Sequence, residues 1–343
     1  MSEAQQVELL TQLAVSAIKQ WQGDFDSVSL IKYRENAVFR VVRKDGVQSV
    51  LRVHRAGYHS NAQLRSELVW MEELRRAGIA VPQLIRPEDG TEFIAMMHPG
   101  VPEARQVDML SWLSGSPVGA IEEASAASID ELVKIYFMAG ELAARVHNQA
   151  TNWPLPTEFT RHSWDENGLI GDEPLWGKFW ELGALDRDQR ELILRVRDRL
   201  AVDIAAFGKG TDRYSMIHAD LVPENLFLDD DGLKLIDFDD AGFGWHMFEI
   251  ATALFFHLEH PDFSRIRGSI LAGYRTTRSL SAEQEAALPM FLLLRSLTYL
   301  GWVHTRSETE TARELTTMFV DMSCKLARGY LESTNTNIDL AKA

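Results

Sequence analysis

Residues 216–244 read MIHADLVPENLFLDDDGLKLIDFDDAGFG, and this stretch decides how the rest of the chain is organised. His218, Asp220 and Asn225 stand in H-x-D-x-x-x-x-N spacing, with Asp237 beyond a short hairpin. The hairpin is legible as Leu226-Phe227-Leu228, a turn over Asp229–Gly232, and a second apolar run over Leu233–Ile236. An apolar strand ending in Asp-Phe-Asp-Asp delivers carboxylates to a sheet edge, where they can meet what Asp220 and Asn225 present from the loop before it. Phosphoryl transfer needs such a set. One carboxylate orients and deprotonates an attacking hydroxyl, while an amide oxygen and another carboxylate hold Mg²⁺ against nucleotide phosphates. Mg²⁺ demands hard oxygen ligands, and Asn plus Asp supply two without filling its shell. Taken singly, Asp229–Asp231 and Asp237–Asp240 read as acidic turns and His218 as a packed loop residue. It is their order on one strand–turn–strand frame that carries the reading.

The 343 residues suffice for two domains or lobes at roughly 150 residues per domain. At 45% hydrophobic and 25% charged the composition is globular, which excludes a disordered, collagen-like or disulfide-built chain. Lys+Arg 35 against Asp+Glu 50 leaves a net charge of −15, which repels a phosphate backbone and argues against nucleic acid as a partner. The single cysteine, Cys324, has no internal partner, which suits a reducing compartment. Residues 1–21 carry Glu3 and Glu8 where a secretory signal has basic residues. The most apolar run, Leu288 to Val303, contains Pro289 and is interrupted by Arg295, so it reads as a buried helix rather than a membrane span. A soluble, cytoplasmic protein is expected, with no membrane partner.

Upstream of the block the pattern is strand-like. An amphipathic helix over residues 3–21, with Ser2 available as its cap, places Val7, Leu10, Ala14, Ala17, Ile18 and Trp21 on one face. Val28–Ile31, Ala37–Arg43 and Gln48–His54 are rich in β-branched residues, and Lys44-Asp45-Gly46 supplies a hairpin turn. Ser60 opens a helix to about Ala77, closed by Gly78, and two further strands are expected near Gln83–Ile85 and Glu92–Met97. Beyond residue 98 helices dominate, over about 129–148 and 187–207, with two or three more after Trp245. The expected architecture is α+β. A small β-rich lobe with one inserted helix covers residues 1–97, and a larger, mainly helical lobe covers 98–343.

The block and its frame resemble the aminoglycoside phosphotransferase and choline kinase superfamily, a branch of the protein-kinase-like fold, over about Val28 to Tyr330. HADLVPEN stands where that family has His-Gly-Asp followed by Asn, and IDFDD where it has Ile-Asp-Phe-Asp. LRVHRAGYHSNAQLRSELVWMEELR is most similar to the bacterial branch of homoserine-kinase-like enzymes and stress-response Ser/Thr kinases. The resemblance implies an ATP- and Mg²⁺-dependent kinase. In it Asp220 is the catalytic base accompanied by His218, and Asn225 and Asp237 are the metal ligands. Ala219 replaces the family's glycine, and Glu249 takes the place of a supporting aspartate.

Such a kinase needs a cation on its third strand and a carboxylate on the following helix. Val50-Leu51-Arg52 fits the Ala-x-Lys position, and Glu67 is its candidate partner, with arginine in place of lysine. Residues 32–39 stand where protein kinases have a glycine-rich loop. They contain no glycine and offer Asn36, as the polar loops of the superfamily do. Met96-Met97-His98 is the expected hinge, presenting backbone groups to adenine, with Met97 and His98 as nucleotide contacts.

Four of the nine tryptophans fall within residues 153–180, interleaved with Asp165, Glu166, Asp172 and Glu173. Aromatic faces with carboxylates can receive an ammonium group. The other reading makes the rings lobe packing and the acids a wet surface. The expected function is transfer of the γ-phosphate of ATP to a hydroxyl of a small, amine-bearing metabolite. A stress-type Ser/Thr protein kinase and a low-turnover nucleotide-binding regulator are the alternatives.

Overall fold

The alternation over residues 25–53 becomes three antiparallel strands in the computed structural model, which describes residues 3–34, 36–119 and 128–341, with side chains to residue 333. The cap expected from Ser2 lies outside the described residues, as does Glu35 of the loop over 32–39. The chain forms two compact units. One is Met1–Ser116 with returns at Pro154–Arg161 and Phe227–Asp239, and the other is the remainder.

In unit 1, strands β1 (Phe25–Tyr33), β2 (Ala37–Arg43), β3 (Gln48–Val53), β4 (Ile94–His98) and β5 (Val101–Ser111) build one sheet in the order β1-β2-β3-β5-β4. Helix α1 (Glu3–Ala17) and a 3-10 turn (Ile18–Gln20) lay Leu10, Leu13, Ala14, Ala17 and Ile18 against Phe39, Val41, Leu51 and Val107. Trp21 closes this core, its Nε1–H donating to the Ile85 carbonyl at 2.7 Å. Helix α2 (Asn61–Arg76) starts at a reciprocal capping box between Ser60 and Gln63, which satisfies two otherwise orphaned N–H groups. It buries Leu64, Leu68, Trp70, Met71 and Leu74, and with them the carboxylate of Glu67.

Unit 1 runs on to Ser116, past the boundary expected at residue 98. β5 is the reason. It pairs with both β3 and β4 and carries the sheet through Ser111. Its sequence hides it. After Val101 come three exposed residues, Pro102 among them, and Val107 to Leu110 are buried on both faces, so no period of two is visible. Residues 83–85 are not a strand, although Leu84 makes a single bridge to Leu110.

In unit 2, α3 (Ile129–Asn152) crosses α7 (Phe263–Thr277) so closely that both crossing points are glycine. A Cβ on Gly140 would sit 2.0 Å from the Ile270 carbonyl, and one on Gly273 would sit 1.9 Å from that of Phe137. A small sheet joins β7 (Ser163–Trp164) and β8 (Tyr214–Ile217) through β11 (Gly242–Trp245). Around it lie α4 (Glu166–Ile170), α5 (Arg187–Phe207), α6 (His246–Leu254), α8 (Ala282–Ala286), α9 (Leu288–Thr305) and α10 (Glu310–Ala341). Five helices follow Trp245 rather than two or three. A two-residue strand β6 (Ser116–Pro117) precedes α3, and β9 (Leu226–Asp229) and β10 (Gly232–Leu235) form the expected hairpin. The chain passes from unit 2 to unit 1 after Leu226 and returns after Asp239. Among the described residues no helix is long and apolar enough to cross a membrane.

Candidate active site

The residues singled out in the sequence fall into two groups, one in each unit. In unit 2, β8 ends at Ile217 and the chain turns through His218, Ala219 and Asp220 into a 3-10 turn (Pro223–Asn225). Ala219 has φ 65°, the left-handed conformation that glycine adopts freely and alanine at a cost of about 1 kcal/mol. The family's glycine at this position therefore has a backbone reason, and this chain keeps the backbone without the glycine. Glu249 on α6 holds the turn from behind, accepting the N–H of His218 at 3.0 Å and of Ala219 at 2.6 Å. Burial pushes the Glu249 carboxyl up, and these bonds oppose that only in part.

The Asp220 carboxylate is held on both oxygens. Asn225 Nδ2 donates to Oδ2 at 2.8 Å and to the Asp220 carbonyl at 3.0 Å. Arg295 Nη2 donates to Oδ1 at 3.0 Å, while its Nη1 reaches the Ala219 carbonyl at 3.1 Å. With its amide nitrogen turned to Asp220, Asn225 has its amide oxygen as the atom suited to a metal. Arg295 was read in the sequence only as an interruption of an apolar run. That lone charge among fifteen uncharged residues was the signal of a buried role.

In unit 1, Arg52 and Glu67 meet as expected, Nη1 to Oε1 at 2.8 Å. A third residue, absent from the sequence reading, completes the arrangement. Asp108 lies opposite Arg52 in the β3–β5 register and takes its guanidinium edge-on, Nε to Oδ1 at 2.9 Å and Nη2 to Oδ2 at 2.7 Å. A lysine could not make this two-point contact, so the arginine at this position comes with its own carboxylate. His54 Nε2 adds a further contact to Asp108 at 2.7 Å. Burial alone would raise the Asp108 pKa, but Arg52 and His54 outweigh it and hold it at about 2.

Arg161, from the first return of the chain into unit 1, donates to Glu67 Oε2 at 3.3 Å and to the Asp239 carbonyl at 2.6 Å. His59 Nε2 lies 2.8 Å from the Asp239 carbonyl and 3.5 Å from its carboxylate. His59, Glu67 and Asp239 can bring one donor atom each within 4.8 Å of one another. Both Glu67 oxygens are already occupied by guanidinium groups, so this is a charge cluster and not a cation site. Beside it, Phe238 packs edge-on against Trp70 of α2 with ring centroids 5.7 Å apart. Asp237 is exposed, with φ 64°. The Ile-Asp-Phe-Asp run thus sets a buried aromatic ring next to an exposed carboxylate.

One expectation is corrected. Met97 and His98 end β4 at the sheet edge and lead through Pro99 and Gly100 into β5 within the same unit, so they form a hairpin and not a hinge. Met97 is 64% exposed, and His98 Nδ1 lies 3.0 Å from its neighbour's carbonyl. The chain leaves unit 1 only after Ser116. Of the two readings of the tryptophan-rich insert, the structure favours packing. Trp164 and Trp176 are buried, and the four acids pair with cations of their own unit. Asp165 and Glu166 meet Lys209, Asp172 meets Arg197, and Glu173 meets Lys178. Asn36 is half-buried and accepts the Arg55 N–H at 3.0 Å, tying its loop to the end of β3.

Residues 30–286 match the model of the phosphotransferase enzyme family, APH. A homoserine kinase of Mesorhizobium japonicum is 28% identical over 265 residues, 71% of this chain and 74% of that one. Among solved structures, the microcompartment-associated aminopropanol kinase superimposes with a TM-score of 0.82 at 31% identity, covering 94% of this chain and 98% of that one. An amicoumacin kinase solved in complex with AMP-PNP, Ca²⁺ and Ami superimposes with a TM-score of 0.76 at 19% identity, over 95% and 96% of the two chains.

Proposed function

The chain belongs to the phosphotransferase enzyme family, and from that premise we propose that it moves the γ-phosphate of ATP to the hydroxyl of a small, amine-bearing metabolite. The observation that carries this reading is the Asp220 carboxylate, fixed on one oxygen by Arg295 and on the other by Asn225. A carboxylate oriented in this way aligns the acceptor hydroxyl and takes its proton as the oxygen attacks the γ-phosphorus, while the bond to the β,γ-bridging oxygen breaks and ADP leaves. Asn225, through its amide oxygen, and Asp237, through its carboxylate, would hold Mg²⁺. When bound, that ion neutralises charge on the transferring phosphate. Arg52, gripped by Asp108 and Glu67, supplies the cation for the nucleotide phosphates, as its place on β3 implies.

The relatives support an amine-bearing acceptor: one is an aminopropanol kinase and one a homoserine kinase, and each of these compounds carries both a hydroxyl and an amine. The acids of the tryptophan-rich insert are paired internally, so recognition of an amine is not assigned to them. The reading is tested with γ-labelled ATP, Mg²⁺ and a panel of amino alcohols and amino sugars, with Asp220→Asn as the blank. Label in an amino alcohol supports it, and label only in protein overturns it.

A further inference from the structure

Helix α9 is apolar on nearly every side, yet its middle holds a guanidinium with no exposed surface. Taking an isolated charge out of water costs several kcal/mol unless its donors are met. The donors of Arg295 go to three oxygens. Two belong to the turn that carries the candidate base, the Ala219 carbonyl and Asp220 Oδ1. The third is the hydroxyl of Tyr299, one turn along α9, at 2.9 Å. The rings of Tyr299 and Trp176 lie 4.3 and 4.9 Å from the guanidinium carbon, and that of Phe248 lies 5.6 Å away. Nε has no hydrogen-bond partner. A guanidinium packed among three rings has little freedom to rotate, so the carboxylate it binds is fixed as firmly as the helix.

Resting on the phosphotransfer reading given above, we propose that Arg295 is a positioning residue for that reaction, setting the orientation of the Asp220 carboxylate. Arg295 and Asn225 each donate to a different oxygen of Asp220, which fixes the carboxylate plane. Tyr299 and Trp176 act one step further back by holding the arginine. A purely structural arginine would do none of this; it would anchor the turn and leave the rate per folded molecule alone.

The experiment compares Arg295→Met, Arg295→Lys and Tyr299→Phe with the unaltered enzyme, using ADP binding as the measure of folded sites. The acceptor is whichever amino alcohol the labelled panel identifies. Misplacing a reacting group by about 1 Å costs on the order of 100-fold in rate. Arg295→Met is therefore expected to lose about 100-fold in kcat, with KM for ATP and the ADP Kd within about threefold. Arg295→Lys restores charge without the fork and should recover only part of kcat. Tyr299→Phe, which leaves the ion pair, should lose several-fold.

Full kcat in Arg295→Met, or a loss confined to KM for ATP, overturns the proposal. Should Arg295→Met fail to fold, full kcat in both Arg295→Lys and Tyr299→Phe does so. Crystal structures of the same variants give a readout that needs no acceptor. Rotation of the Asp220 carboxylate is expected, and an unmoved carboxylate overturns the proposal. An unaltered enzyme that labels no small molecule, with Asp220 rotated in the variant, would sink the function and keep the positioning.

Discussion

Arg52 stands directly opposite Asp108 across β3 and β5, and the carboxylate takes its guanidinium edge-on at 2.9 and 2.7 Å. The second edge reaches Glu67, so one side chain links two strands and α2. Removing one partner of a buried pair strands the other charge. Asp108→Asn is therefore expected to destabilise the protein by about 3–5 kcal/mol at neutral pH, measured by denaturant unfolding.

The same carboxylate gives a pH dependence. Its folded pKa is about 2 against an ordinary value of 3.8, so its contribution is fully present above pH 3.8 and disappears as pH falls toward 2. The melting temperature of the unaltered protein should fall across that window. Asp108→Asn should start lower and descend less steeply there. Parallel curves would show that Asp108 is not the titrating group.

Asp220→Asn keeps the side chain's size but gives up the proton acceptor and sets an NH₂ group against one of its two donors. Phosphotransfer should drop by about 1000-fold or more while ADP affinity stays within about threefold. Full activity in that variant would remove Asp220 from the role of base.

Ala219 has the backbone of a glycine. Ala219→Gly relieves about 1 kcal/mol of strain and gives up a buried methyl worth about as much, so stability and kcat should both stay near their starting values. Ala219→Val, β-branched at φ 65°, should lose about 2 kcal/mol and most of kcat. Thermal melts with kcat measured alongside decide between a strained turn and an indifferent one.

Glu249 accepts two main-chain N–H groups, one on each oxygen. Glu249→Gln must set its amide NH₂ against one of them, leaving a buried donor without an acceptor at about 1–3 kcal/mol. A loss of about tenfold in kcat with unchanged ADP affinity is expected, because the bonds lie in unit 2 with Asp220 while Arg52 lies in unit 1.

The hairpin, the start of α2 at Ser60 and the start and end of α5 were readable because each follows from local chemistry: turn residues, a serine before an apolar-periodic run and helical periodicity. β5 was not, because a strand buried on both faces loses its alternation and Pro102 conceals its start. The pairing of Arg52 with Glu67 could be anticipated from strand alternation and helix position. Asp108 could not, since its partner is fixed by the register of a strand that was itself unseen. Arg295 and Asp220 lie 75 residues apart, and nothing local links an arginine in an apolar helix to a carboxylate in a loop. The Met97–His98 hinge failed for the same reason as β5, since the hinge was placed where the sheet was thought to end.

Unit 1 is discontinuous, and that bears on how the chain is made. Synthesis delivers the sheet and α2 first, but Arg161, which neutralises Glu67, and Phe238, which covers Trp70, emerge much later. On the ribosome the first 116 residues therefore wait with a buried carboxylate short of one cation and a tryptophan face uncovered. Folding one domain at a time from the N-terminus, the usual vectorial order, is closed to this protein. Its N-terminal unit is finished only after about half of the other has been translated.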